Sequence, residues 1–189
     1  MILRGKNILF LGSSVTYGSA SGGVSFADIM SQCCGFQYVK EAVSGTTLAD
    51  INENSYVSRL KNIDKSSKFD LFICQLSTND ASSDCNIDLK KIEAAICFIL
   101  SYVQVTFRCP IVFYTGTYFE NEKYSQMVDL LYSLQKEYGF HILDLYHDSD
   151  MLAVSEEDRS RYMEDQIHPN IIGYKEWWTP KFIEFCEQL

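Results

Sequence analysis

Short runs of Ile, Val, Leu and Phe alternate along the chain with segments whose apolar residues recur every three to four positions, the pattern of a parallel sheet with helical crossovers. Five runs read as strands: Asn7 to Leu11, Gln37 to Glu41, Asp70 to Gln75, Ile111 to Thr115 and His141 to Leu143. The second is polar enough for a sheet edge. The segments FDLFICQL and IVFYT are nearly continuously apolar, as strands covered on both faces should be, and this places them centrally.

The intervening helices carry recognisable ends. Ser25 caps a segment in which Phe26, Ile29, Met30 and Cys33 share one face, and Gly35 closes it in the left-handed conformation. Asn121 caps a second, with Met127, Leu130, Leu131, Leu134 and Tyr138 as its stripe and Gly139 as its stop. A longer helix is expected from Ile87 to Val103, with Ile92, Ile96, Ile99 and Val103 inward, and a weaker pattern runs from Thr47 to Leu60. Near the C-terminus, Thr179 followed by Pro180 reads as a cap and a first-turn proline. This divides the segment into a short helix over Ile171 to Trp178 and a second from Pro180. No repeat or linker interrupts the pattern, so residues 1–189 read as one domain, a three-layer α/β/α sandwich around a parallel five-stranded sheet.

Composition agrees with a globular chain: 189 residues, 47% hydrophobic and 22% charged. Asp and Glu outnumber Lys and Arg by 25 to 16, a formal charge of -9, which argues against nucleic acid or anionic head groups as partners. The apolar run in MILRGKNILFLG falls far short of the ~20 residues that cross a bilayer, so a buried strand in a cytoplasmic protein without a membrane anchor is expected. The seven cysteines are an odd number without zinc spacing, and are expected as reduced core thiols with no metal bound.

Three strands run into loops of small hydroxyl and amide residues: Gly12 to Gly18 (GSSVTYG), Ser44 to Thr47 (SGTT) and Ser77 to Asp80 (STND). In a parallel sheet these loops meet at one rim, beyond the carboxyl ends of the strands. A serine on a tight strand-to-helix turn, surrounded by backbone N–H groups and an Asn amide, is half of an acyl-transfer site. The other half is an imidazole to accept the hydroxyl proton. His141 opens the fifth strand and reads as an edge residue. His168, with Asp165 in DQIHP, and His147, with Asp144 in DLYH, have equal spacing, and spacing does not separate them. Tyr17, Tyr114, Trp177 and Trp178 read as core or rim aromatics.

The blocks GSSVTYG, SGTT, STND and DQIHP resemble, in order and approximate spacing, the four sequence blocks of the SGNH (GDSL-like) hydrolases, across nearly the whole chain. The resemblance implies a flavodoxin-like SGNH-hydrolase fold and a serine esterase that uses no metal or organic cofactor and acts on a small-molecule ester. It implies Ser14 as nucleophile, the backbone N–H groups of Ser14 and Gly45 and the Asn79 side chain as the oxyanion hole, His168 as general base and Asp165 as its partner. In two places this chain departs from the family: Ser13 replaces the acidic residue that commonly precedes the nucleophile, and Ser77 replaces the glycine that opens the third block. The α/β-hydrolase elbow G-x-S-x-G is absent around Ser14. A carbohydrate acetyl ester suits so compact a chain. Two other readings compete, a flavodoxin-like FMN-binding module with SSVTYGSASGG cradling the phosphate, and an inactive carbohydrate-binding relative.

Overall fold

The computed structural model describes residues 1–82 and 86–189. Its sheet has five parallel strands, β1 (Asn7–Gly12), β2 (Gln37–Ala42), β3 (Leu71–Gln75), β4 (Ile111–Tyr114) and β5 (His141–Leu143), in the order β2-β1-β3-β4-β5. All five lie within one residue of the expected ends. Every residue of β3 is buried, whereas β2 at the edge leaves Val39 exposed. β4 is fully buried beside β5, which forms the other edge.

Strand side chains alternate between two cores. Leu9, Leu11, Phe72, Cys74 and Phe113 point to the side covered by α3 (Tyr56–Asn62), α4 (Leu89–Thr106) and α5 (Glu122–Tyr138). Ile8, Phe10, Ile73, Val112 and Tyr114 point to the side covered by α2 (Phe26–Cys34) and α9 (Thr179–Gln188). Phe26 stacks on Phe182 with ring centroids 3.8 Å apart, joining α2 to α9. Three layers result, as the alternation requires.

The caps of α2 and α5 form as read. The Asp28 carboxylate accepts the Ser25 N–H at 2.7 Å, and Gly35 has φ 73°. Asn121 Oδ1 accepts the Tyr124 N–H at 2.8 Å, and Gly139 has φ 70°. In α4 the inward residues are those expected, but the helix starts two residues later, because Asp88 turns its carboxylate onto the Lys91 N–H and becomes the cap.

Other expectations fail for physical reasons. Only the last part of Thr47 to Leu60 is helical: the N–H groups of Leu48 and Ala49 donate to the Asp80 carboxylate, 2.7 and 2.8 Å away, so this stretch takes its bonds from β3's loop and not from a helix ladder. Thr179 is helical and not a cap. The chain runs without a break from α8 (Ile171–Gly173) through a π-helical turn (Tyr174–Trp178) into α9. The wide turn sits where a straight α-helix would drive the Pro180 ring into the Glu176 carbonyl. Two helices, α6 (Ser149–Leu152) and α7 (Glu156–Tyr162), were not foreseen; α7 buries no residue and has no stripe to read.

Among the described cysteines all are free, but they are not uniformly core: Cys74, Cys109 and Cys186 are buried, Cys34 and Cys97 half-buried and Cys33 exposed. Cys33 lies in the last turn of α2, beside residues 1–4 at the rim of the core. Cys85 falls outside the described residues. Among the described residues no helix is long and apolar enough to cross a membrane.

Candidate active site

The chain leaves β1 through Gly12 into α1 (Ser14–Tyr17), and only glycine fits at the turn: a Cβ there would lie 1.7 Å from Thr16 Oγ1. Gln75, the last residue of β3, braces the turn. Its Oε1 accepts the Ser13 N–H at 3.0 Å and the Thr16 hydroxyl at 2.8 Å, and Tyr114 OH lies 2.7 Å from Thr16 Oγ1. Ser13 is fully buried with its hydroxyl turned to Gln75, 3.4 Å away. Of the two adjacent serines, only Ser14 directs its Oγ outward.

The loops after β2 and β3 are bound to each other and to this turn. Asn79 Nδ2 donates to Thr46 O at 2.8 Å, and Asp80 takes the two backbone bonds given above. Asp80 is buried, and burial pushes its carboxyl pKa up although the backbone donors oppose this. Arg59 reaches across from α3 to Gly12 O at 2.7 Å and Thr46 Oγ1 at 3.1 Å. Gly45, at φ 77°, turns this loop, and among the described residues the N–H groups of Ser14 and Gly45 donate no hydrogen bond within the protein.

His168 arrives on a closed loop. The Glu164 N–H donates to His168 O at 2.9 Å, and Met163 bridges Pro169 in an antiparallel pair. Beyond it Asn170 caps α8, and Gly173 passes so close to the Tyr162 carbonyl that a Cβ would stand 2.1 Å from the oxygen. Tyr174, fully buried, donates to Val15 O at 2.7 Å, which fastens the same segment to the turn carrying Ser14. Arg159 Nη2 holds Gln166 O and Tyr118 O, at 3.4 and 2.8 Å.

These constraints bring the Ser14 hydroxyl into line with an imidazole and a carboxylate from the far end of the chain. Ser14 Oγ lies 2.7 Å from His168 Nε2, and His168 Nδ1 lies 2.7 Å from Asp165 Oδ2. The other oxygen, Asp165 Oδ1, accepts the N–H groups of Ile167 and His168, both at 2.7 Å. Partial burial works to raise the Asp165 pKa, but the bonds from the His168 ring and the two backbone N–H groups outweigh it and hold the carboxyl below its usual range. An ionised Asp165 accepts a hydrogen bond from Nδ1–H, which keeps the proton on that nitrogen and leaves Nε2 with a lone pair toward the serine hydroxyl.

The rival pair also forms, but elsewhere. His147 Nδ1 lies 2.8 Å from Asp144 Oδ2, and among the described residues no serine hydroxyl bonds to the other nitrogen of that ring. His141 is exposed at the edge strand, Tyr114, Trp177 and Trp178 are core, and Tyr17 is half exposed at the rim. Of the hydroxyls offered to a flavin phosphate, two are bound within the protein, Thr16 to Gln75 and Tyr114, and Ser21 to the carbonyls of Gly18 and Val24. Among the described residues no three His, Cys, Asp or Glu side chains converge as metal ligands.

Gln75, Arg59, Arg159 and Tyr174 escaped sequence reasoning. A glutamine ending a buried strand and an arginine inside an otherwise apolar helix stripe were signals available for the first two.

The model of the GDSL-like lipase/acylhydrolase family matches residues 10–176. No curated protein sequence matches the chain. Solved structures with the same fold include a lipolytic protein of the G-D-S-L family from Veillonella parvula, at 14% identity and TM-score 0.76 over 97% of this chain and 99% of that one. The inhibitor-bound aryl esterase of M. smegmatis gives 14% identity and TM-score 0.74 over 97% of this chain and 100% of that one. A carbohydrate acetylesterase family member from Sinorhizobium meliloti gives 14% identity and TM-score 0.61 over 74% of this chain and 82% of that one.

Proposed function

This chain belongs to the GDSL-like lipase/acylhydrolase family, and from that premise we propose that it is a serine esterase working through an acyl-enzyme on Ser14. The observation that carries the reading is the continuous line from Ser14 Oγ to His168 Nε2 and from His168 Nδ1 to Asp165 Oδ2, each gap 2.7 Å.

In this mechanism Ser14 Oγ attacks the ester carbonyl while His168 Nε2 takes its proton. Asp165 holds the ring in the tautomer that makes this possible and stabilises the imidazolium that forms. The N–H groups of Ser14 and Gly45, which have no protein acceptor among the described residues, and the Asn79 amide receive the negative oxygen of the tetrahedral intermediate. Collapse expels the alcohol, which leaves with the proton from His168. Water then attacks the acyl group and gives a proton to His168, which passes it to Ser14 Oγ as the acyl–oxygen bond breaks, releasing the acid and the regenerated serine and imidazole.

The substrate proposed is a small acyl ester, with an acetyl group on a carbohydrate as the leading case. The carbohydrate acetylesterase family member that shares this chain's fold supports the acetyl group, on fold likeness alone.

The test compares p-nitrophenyl esters of rising chain length and acetylated sugars on the wild-type and Ser14→Ala proteins. Ser14→Ala should fold normally and lose turnover by about 10⁴-fold or more. Undiminished turnover in that variant would remove Ser14 from the mechanism.

A further inference from the structure

Arg59 is a charged residue with 7% of its side chain exposed, and all five of its N–H donors are used. Nε donates to Asn54 O at 3.0 Å. One terminal nitrogen donates to Glu41 O and Glu41 Oε1, at 2.8 and 3.2 Å. The other donates to Gly12 O and Thr46 Oγ1, at 2.7 and 3.1 Å.

The last two bonds bear on the chemistry. Gly12 O belongs to the peptide just before the one that carries the Ser14 N–H, so holding it anchors the turn that presents that donor. Thr46 follows Gly45 directly, and its hydroxyl also donates to Val43 O at 2.7 Å, which closes the loop that carries the Gly45 N–H. The same Thr46 receives the Asn79 amide on its backbone carbonyl, 2.8 Å away. A single planar nitrogen therefore joins the carriers of all three oxyanion donors, which come from three different strand ends. The direct backbone link between the first two loops is weaker, Val43 N–H to Gly12 O at 3.3 Å.

We propose that Arg59 is a positioning residue for the oxyanion hole, fixing the distance between the Ser14 and Gly45 N–H groups and, through Thr46, the Asn79 amide. The inference rests on the serine-esterase reading above. The guanidinium touches no reacting atom; its rigid fork is what matters. A lysine at this position keeps the charge but has three donors on a flexible stem and cannot span five acceptors.

The experiment uses the full chain with Arg59→Lys and, as a milder cut of the same network, Thr46→Val. Active sites are counted by titration with an alkyl phosphonate bearing a p-nitrophenol leaving group, and p-nitrophenyl acetate turnover is expressed per titrated site. Arg59→Lys should lower kcat about 10- to 100-fold with KM held within about twofold, because the donors act on the transition state and not on the ground state. The acid limb of the pH profile should not move, since Asp165 and His168 are untouched. Thr46→Val should lower kcat by a smaller factor, about three- to tenfold, with KM again steady. If Arg59→Lys does not fold, Thr46→Val decides alone. A kcat per site within about twofold of wild type in the folded variants overturns the proposal and leaves the esterase reading standing. A wild-type protein that neither turns over the ester nor reacts with the phosphonate ends both.

Discussion

Two Asp–His pairs stand in this molecule with the same three-residue spacing and almost the same geometry, Asp165 with His168 at 2.7 Å and Asp144 with His147 at 2.8 Å. Their burial is inverted. In the first the imidazole is the sheltered partner, 26% exposed against 55% for its carboxylate; in the second the carboxylate is sheltered, 12% exposed against 54% for the ring. Asp144 spends its bonds inward, on Tyr132 OH, Thr115 Oγ1 and the Tyr146 N–H, and so ties α5 and β4 to the end of β5. Asp165 spends its bonds on its own loop and leaves the far nitrogen of the ring against a hydroxyl. An Asp–His pair becomes a proton shuttle through what faces the free nitrogen, and a structural brace through what surrounds the carboxylate.

The sharpest way to break this contrast is to delete each ring. His168→Ala should lower kcat/KM by about 10⁴-fold or more, whereas His147→Ala should leave it within about twofold, measured on p-nitrophenyl acetate. The reverse result would transfer the base to the other pair. Next come the carboxylates. Asp165→Asn, which disturbs the ring tautomer, should cost about 10³–10⁴-fold in kcat with little change in melting temperature. Asp144→Asn should leave kcat per folded molecule intact while lowering stability by about 1–3 kcal/mol, read by denaturant titration. A stability loss from Asp165→Asn equal to that from Asp144→Asn would erase the distinction.

A smaller effect is expected on the oxyanion side of the proposed mechanism. Asn79→Ala should reduce kcat about 10²–10³-fold with KM little changed, and an unchanged kcat would show that its amide does not meet the developing charge. The smallest effect separates the pairs by pH. Burial works to raise the Asp144 pKa, but its bonds from Tyr132 and His147 outweigh this and hold it below the usual value. A carboxyl depressed in the folded state contributes stability that is present above its unfolded pKa and is lost as pH falls through the folded one. Acid unfolding of Asp144→Asn should therefore show a flatter dependence than wild type below about pH 4.

The elements most legible in the chain were those whose signal is local. Asn121 and Gly139 bound α5 because an amide cap and a left-handed glycine act within one turn, and the buried runs of β3 and β4 declare themselves by composition. Less was readable where a partner from elsewhere takes the backbone's bonds. The stretch before α3 follows Asp80 and not its own periodicity, and Thr179 looks like a cap only until the π turn carries the helix through it. For α7 a local signal existed, Ser155 three residues before Asp158, but no apolar stripe called attention to it. Of the site, Ser14, Gly45, Asn79, Asp165 and His168 were named by motif and order. Gln75, Arg59 and Tyr174, which hold them, were not, because a brace is recognised by what it touches.

By itself the sequence determined the layer order and the supply of hydroxyl, amide and imidazole groups at strand ends, since a run of side chains with period two or 3.6 buries one face whatever lies opposite. Spacing left the two Asp–His pairs equivalent and the family resemblance favoured Asp165 with His168; which ring faces a serine hydroxyl was the choice of the tertiary structure. That choice rests on a contact between residues 154 positions apart, and no local rule of the chain encodes which nitrogen will meet which oxygen.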